Sequence, residues 1–230
     1  MSIWIDFIDF FFPRFCICCG KKLLPSERSV CLSCVADLPY TGIAGQDRNL
    51  FEKNFWGCFP IARAATLFYY KKGGNVAHLV HAMKYHSRRM ACVDMGKQMA
   101  YEFSRHDFFR GIDYILPVPL HKERLRIRGY NQSQLLSLGI SRVTGIPLLT
   151  DVVERTHNNV TQTRKSGYER WMNAQHLFVA TPRLSCLEGK HVLLVDDVLT
   201  TGATIVSLAD AIAHVEGIKI SVATLAWAKE

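Results

Sequence analysis

The sequence predicts an α/β protein: a parallel sheet flanked by helices, preceded by a small N-terminal head built on four cysteines. Three observations carry this expectation. Val192-Leu193-Leu194-Val195 is an unbroken apolar run, the pattern of a strand buried on both faces, as in the middle of a parallel sheet. Strand-like runs alternate with helical periodicity from Ala64 onward, which is the signature of β-α-β units. Cys16 and Cys19 form one C-x-x-C pair, Cys31 and Cys34 a second, with eleven residues between them. Each such turn aims two sulfurs at one point, and two turns complete a tetrahedral thiolate site.

A chain of 230 residues with 49% hydrophobic content has material for one α/β domain and a small appendage. The expected division is a helix and zinc-finger head over 1–45 and the main domain over 55–230. No run reaches the ~18 apolar residues of a membrane span. Met1 to Phe12 is apolar but carries Asp6 and Asp9 and no early Lys or Arg, so it lacks the basic start of a secretory signal. Its apolar positions 3, 4, 7, 8, 11 and 12 fit one face of a short helix docked on the main domain. Eight cysteines without such a signal argue for a reducing compartment and metal binding over disulfides. The expected location is therefore the cytoplasm, with peripheral contact at the inner membrane as the alternative. The net charge of +8 favours anionic partners: phosphates, pyrophosphate or nucleic acid.

The head, 14–39, has few core residues of its own, so structural Zn²⁺ on Cys16, Cys19, Cys31 and Cys34 is expected to hold it together; Cys18 is a spare. Residues 42–58 read as a linker, polar and aperiodic, with Phe55, Trp56 and Phe59 docking it. A strand is expected over 64–70 and a helix over 76–85. A basic knot of Lys84, His86, Arg88 and Arg89 follows, then a second helix over 91–105. Asp113 to Leu120 reads as a short buried strand stopped by Pro117 and Pro119. Lys122, Arg124, Arg126 and Arg128 put four cations in seven residues before Gly129. That suits a mobile loop folding over an anion; an exposed helical turn and an edge hairpin are the alternatives. A helix over 131–143, a strand around 146–153, a helix over 164–175 and a strand over 176–180 complete the middle of the chain.

The remaining expectation concerns His191 to Thr204. The apolar strand breaks into Asp196-Asp197-Val198-Leu199, then a loop of Thr200, Thr201, Gly202, Ala203 and Thr204, then helical spacing from Ile205 to Val215. An α/β sheet presents phosphate and sugar at the carboxyl ends of its strands in this way. The helix start supplies free N–H groups, the threonines supply hydroxyl donors, and Gly202 allows close approach or a positive φ. The carboxylates would repel a phosphate but accept hydrogen bonds from ribose hydroxyls. A Walker B strand is excluded because no G-x-x-x-x-G-K-[ST] accompanies it. The stretch resembles the phosphoribosyl pyrophosphate (PRPP) motif of type I phosphoribosyltransferases, an apolar run followed by D-D-x-x-T-T-G-x-T.

Together with the cysteine quartet, Pro117-Val118-Pro119, Arg128-Gly129-Tyr130-Asn131-Gln132, Thr161-Gln162, and Arg170 with Asn173, this motif resembles the ComF/GntX family over about the whole chain. The resemblance implies a type I phosphoribosyltransferase-like sheet with a zinc-finger head, PRPP with Mg²⁺ as ligand and, for ComF members, a role in DNA uptake during natural transformation. It further implies that the turn Val118-Pro119-Leu120 offers backbone N–H groups to pyrophosphate and that Arg124 and Arg128 clamp it. Three functions are then open. The chain binds PRPP and hands incoming single-stranded DNA to a helicase-like uptake partner; it transfers phosphoribosyl to an unidentified nitrogen acceptor; or it is a PRPP-binding regulator.

Overall fold

The structure is a computed structural model that describes residues 13–85, 88–156 and 177–229. The N-terminal apolar helix, the helix over 164–175, and Thr161, Gln162, Arg170 and Asn173 lie outside the described residues, as does His86. A four-stranded sheet runs in the order β1 (Ile61–Tyr69), β6 (Lys219–Trp227), β5 (His191–Leu199), β2 (Tyr114–Pro117). All three pairings are parallel. A separate antiparallel pair joins β3 (Val153–Arg155) to β4 (Phe178–Ala180). The helices are α1 (Leu32–Ala36), α2 (Asn75–Tyr85), α3 (Arg89–Ser104), α4 (Lys122–Arg128), α5 (Gln132–Thr144) and α6 (Ala203–Ile212).

Alternation along the central strands sorts the core into two faces. Leu193 and Val195 of β5, with Ala223 and Leu225 of β6, pack on the side of α2, α3 and α5. Val192 and Leu194, with Ile220 and Val222, pack on the side of α6 and the β3–β4 pair. The apolar run thus serves both faces at once, as its unbroken pattern predicted. The cysteine head joins the first face: Leu23, Val30 and Leu38 belong to the same cluster as Met83 and Met99. Ser29 Oγ donates to Asp94 Oδ2 of α3 at 2.9 Å.

Helices α3 and α5 meet at glycines. A Cβ on Gly96 would lie 2.0 Å from the Leu136 carbonyl oxygen, and one on Gly139 would lie 2.2 Å from that of Val93. The backbones therefore touch, and this contact fixes where the first turn of α5 meets the sheet edge.

Four expectations need correction. The polar stretch 42–58 is packed rather than a linker. Asn49 is buried, donates to Ala64 O (2.8 Å) and accepts from the N–H groups of Phe51 and Glu52, while Glu52 Oε1 accepts from Ala64 N. Its polar residues are there to satisfy backbone, and they set a 3-10 turn, Glu52–Phe55, that buries Phe51 and Phe55 completely. Phe59 is buried as expected, but Trp56 is half exposed. The strand around 146–153 reduces to a bridge at Leu148 against Ile115 and the short β3. Strand β6, which lies between β1 and β5, has no counterpart among the sequence expectations. Finally, residues 122–128 are helix, not loop. His121 caps the start, accepting from Glu123 N at 3.3 Å, and Gly129, at φ 74°, closes the end by donating to Leu125 O. The structure thus takes the exposed helical alternative over the mobile loop. Helical spacing stacks Arg124 and Arg128, four apart, on one face.

Candidate functional site

The site lies where β5 and β2 leave the sheet. Asp196 and Asp197 lie within β5, and Asp196 is still paired with Thr224 of β6. Asp196 Oδ1 accepts from Ser133 Oγ (2.9 Å) in the first turn of α5 and from the backbone N of Asp197 (2.9 Å). Asp197 is buried, accepts from Val198 N (2.8 Å), and its Oδ2 pairs with Lys84 Nζ at 2.7 Å. Burial opposes the charge on Lys84, but attraction to Asp197, the hydrogen bond and Asp196 outweigh it and raise its pKa. For Asp196 the same direction disfavours the charged form: desolvation first, then repulsion from Asp197, raise its carboxyl to about 7. The two adjacent acids are therefore inequivalent, one locked as an ion pair and the other poised near neutrality. Lys84, remote in sequence, offsets part of the repulsion between them.

Thr200, Thr201 and Gly202 lead from β5 into α6. Gly202 has φ 78° and stands at the helix N-cap position, with no side-chain capping bond. The first N–H groups of α6 are thus left for an anion. Thr200 is exposed, and Thr201 and Thr204 are half-buried. Of the two roles open for Gly202, the structure selects the dihedral one. A Cβ there would meet Asn54 O and Phe55 at ordinary contact distances of 3.8 Å, so it would point at the packed 42–58 segment and not into the loop.

The turn after β2 differs from expectation. The N–H of Val118 donates to Val195 O at 2.9 Å, continuing the β2–β5 ladder by one residue. Pro119 has no N–H, which leaves Leu120 as the donor this turn can offer an anion. The Val118 carbonyl instead anchors the site, accepting from Asn131 Nδ2 at 2.9 Å. Asn131 also caps α5 by accepting from Ser133 N, so one residue ties the turn to the helix that carries Ser133.

Arg124 and Arg128 face this region from α4, which has no buried residue. Arg128 Nη1 donates to Gln132 Oε1 (3.0 Å), and its guanidinium lies over the Tyr85 ring, 5.5 Å from the centroid. Burial, then repulsion from Arg128, lower the pKa of Arg124. The basic knot does not form one surface. Lys84 turns inward to Asp197, and Arg89 donates to Gly129 O (2.6 Å) while lying over Tyr130. Arg88 remains exposed.

In the head, one sulfur from each of Cys16, Cys19, Cys31 and Cys34 lies within 4.8 Å of every other. Cys19 and Cys31 Sγ are 3.7 Å apart, close to the ~3.8 Å edge of a tetrahedron with Zn–S bonds of about 2.3 Å. Cys31 N donates to Cys16 Sγ at 3.4 Å, a contact that favours thiolate. The quartet therefore fits a metal ion such as zinc. Cys18 stands outside it, with its Sγ 3.8 Å from Asn75 O and its pKa pushed up to about 12 by burial and then by the neighbouring cysteines. Among the described residues no helix is long and apolar enough to cross a membrane.

Residues 122–230 match the phosphoribosyl transferase domain model. Competence protein F of Haemophilus influenzae is 26% identical over 205 residues, 85% of this chain and 89% of that protein. The DNA utilization protein YhgH of Escherichia coli is 32% identical over 135 residues, 57% of this chain and 58% of that protein. Competence protein ComFC of Bacillus subtilis is 34% identical over 91 residues, 40% of this chain and 34% of that protein. The parallel sheet, the cysteine quartet ahead of it, the acidic strand end and these likenesses agree in supporting a ComF-type, phosphoribosyltransferase-like protein.

Proposed function

We propose that the chain binds PRPP with Mg²⁺ at the end of β5 and serves competence by handling incoming single-stranded DNA. One observation carries this reading: a diol acceptor stands between two places for anions. The N-terminus of α6 and the hydroxyls of Thr200, Thr201 and Thr204 would take the 5-phosphate. Asp196 would accept from the ribose hydroxyls. Leu120 N–H, Arg124 and Arg128 would take the pyrophosphate. Lys84 would hold Asp197 still through its ion pair, leaving Asp196 as the acceptor offered to the ligand. Mg²⁺, bound through ligand oxygens, would offset the pyrophosphate charge. If turnover occurs, the guanidiniums would stabilise charge developing on the departing pyrophosphate. Zinc on the four cysteines would hold the head, 1–45, against the main domain, 55–230.

The DNA arm rests on the net charge of +8, the exposed Arg88 and the names of the relatives. Single-stranded DNA binding should weaken steeply with salt as counterions are released. Thermal melts of the wild type with PRPP and Mg²⁺ test the first half of the reading: a saturable rise in Tm is expected. No rise at millimolar ligand would sink it. A catalytic reading, phosphoribosyl transfer to a nitrogen acceptor, requires pyrophosphate release with candidate bases or amines.

A further inference from the structure

Three features near the site are unused so far: Arg155, the amide nitrogen of Gln132, and the contact between α4 and β3. Arg155 ends β3, on the two-stranded sheet, remote in sequence from the hydroxyl loop. Lys122 Nζ of α4 lies 3.5 Å from Glu154 Oε2, so β3 runs against α4. Alternation along the strand turns Arg155 to the opposite face from Glu154. There its guanidinium lies 5.5 Å from the Phe178 ring centroid, within Coulombic reach of Arg124, Asp196 and Arg128. Its Nε is buried with no hydrogen-bond partner among the described residues, and neither has Gln132 Nε2. Gln132 is 2% exposed. Its orientation is fixed, because Arg128 can only donate and so must face the amide oxygen.

Buried donors without acceptors are costly, at roughly 1–3 kcal/mol each. Gathering three guanidiniums adds mutual repulsion. Burial, then Arg124, lower the pKa of Arg155. Among the described residues the Phe178 ring and Asp196 offset this only in part, whereas a multiply charged anion with several acceptor oxygens would satisfy both orphan donors and the repulsion together.

We propose that Arg155 and Gln132 Nε2 complete, with Arg124 and Arg128, a diphosphate-binding site, so that β3 contributes directly to the ligand and is not only a cover for the sheet. The inference rests on the PRPP reading for the identity of the natural ligand, but the site itself is defined by its chemistry. Its ligand class is a diphosphate rather than a single phosphate: three gathered guanidiniums carry more positive charge than the roughly −2 of one phosphate group offsets.

Calorimetry with inorganic pyrophosphate, and separately with ribose 5-phosphate, tests it on the wild type and Arg155→Met. Methionine keeps an unbranched stem over Phe178 and removes the charge. Pyrophosphate affinity should fall about tenfold or more, the worth of charge-assisted hydrogen bonds to an anion, while ribose 5-phosphate affinity stays within about twofold. The ligand-free variant should melt no lower than wild type, since a repelled buried cation has gone; a residue with a purely structural role would give a lower Tm. Wild type that ignores pyrophosphate, or a variant that binds it within about twofold of wild type, would overturn the proposal. Wild type that binds pyrophosphate through Arg155 but ignores ribose 5-phosphate leaves the diphosphate site standing and counts against the PRPP reading alone.

Discussion

Replacing Lys84 by methionine should destabilise the protein more than any other change of a single surface-reaching charge near the site. The substitution keeps an unbranched apolar stem and removes the partner of Asp197, 2.7 Å away. Asp197 then loses its ion-pair partner and keeps Val198 N as its hydrogen-bond donor. Breaking a buried pair from one side costs about 3–5 kcal/mol. Here the side chains keep 24% and 12% of their exposure, and the Val198 hydrogen bond persists, so the cost falls below that range, at about 2–3 kcal/mol. For a chain of this size that is a fall in Tm of roughly 5–10 °C. The double variant Lys84→Met/Asp197→Asn removes both charges and should recover part of the loss, a coupling that thermal melts of the four proteins in the cycle would measure. The folded pKa of Lys84 is raised, so its contribution is complete below the ordinary lysine value and is lost only as pH rises through the raised one. The gap between wild type and Lys84→Met should therefore hold from about pH 6 to about pH 9. A variant melting within a degree of wild type, or losses that simply add in the double variant, would refute the reasoning.

Three further outcomes are expected. Gly139→Ala would place a methyl 2.2 Å from the Val93 carbonyl oxygen and 2.8 Å from Gly96 Cα; neither is a flexible tip, so a loss of about 3 kcal/mol or more is expected in a denaturant melt, and wild-type stability would show that the two helices can part. Asp196 has a folded pKa raised to about 7, so the folded state holds its proton more tightly and stability falls as pH rises from about 4 to about 7; against Asp196→Asn, wild type should lose ground across that window, and a constant gap would contradict it. Elemental analysis should find about one zinc per chain; Cys16→Ser should lose it and Cys18→Ser should keep it, and the reverse result would reassign the ligands.

What was legible in the sequence was contiguous. Asp196-Asp197 through Thr204 sit in one run, as do the cysteine pairs, and their spacing alone states their chemistry. What was hidden arises from distance or from ambiguous period. Lys84, Ser133 and Arg155 come from α2, α5 and β3, and nothing local marks any of them as a partner of Asp196 or Asp197. The cations from Lys122 to Arg128 recur every second residue, which suits a strand as readily as a helix; the His121 cap and Gly129 were the signals that decide it. Asn49 and Glu52 look like linker residues because burial of polar groups on backbone is invisible to a hydropathy pattern. Strand β6 does carry a local signal: Ile220, Val222 and Leu225 follow Gly217 in a run long enough for a buried strand.

The central claim is that the carboxylates at the end of β5 hold a phosphorylated sugar. Calorimetric titration of PRPP with Mg²⁺ into wild type and Asp196→Asn/Asp197→Asn, each checked by a thermal melt, tests it most directly. Asparagine preserves shape and avoids stranding Lys84 against a void. Wild type should bind one PRPP per chain, and the folded double variant should bind at least about tenfold more weakly, since hydrogen bonds to charged acceptors contribute about 1.5–3 kcal/mol each. Equal affinity in two folded proteins, or no binding by wild type, would contradict the account.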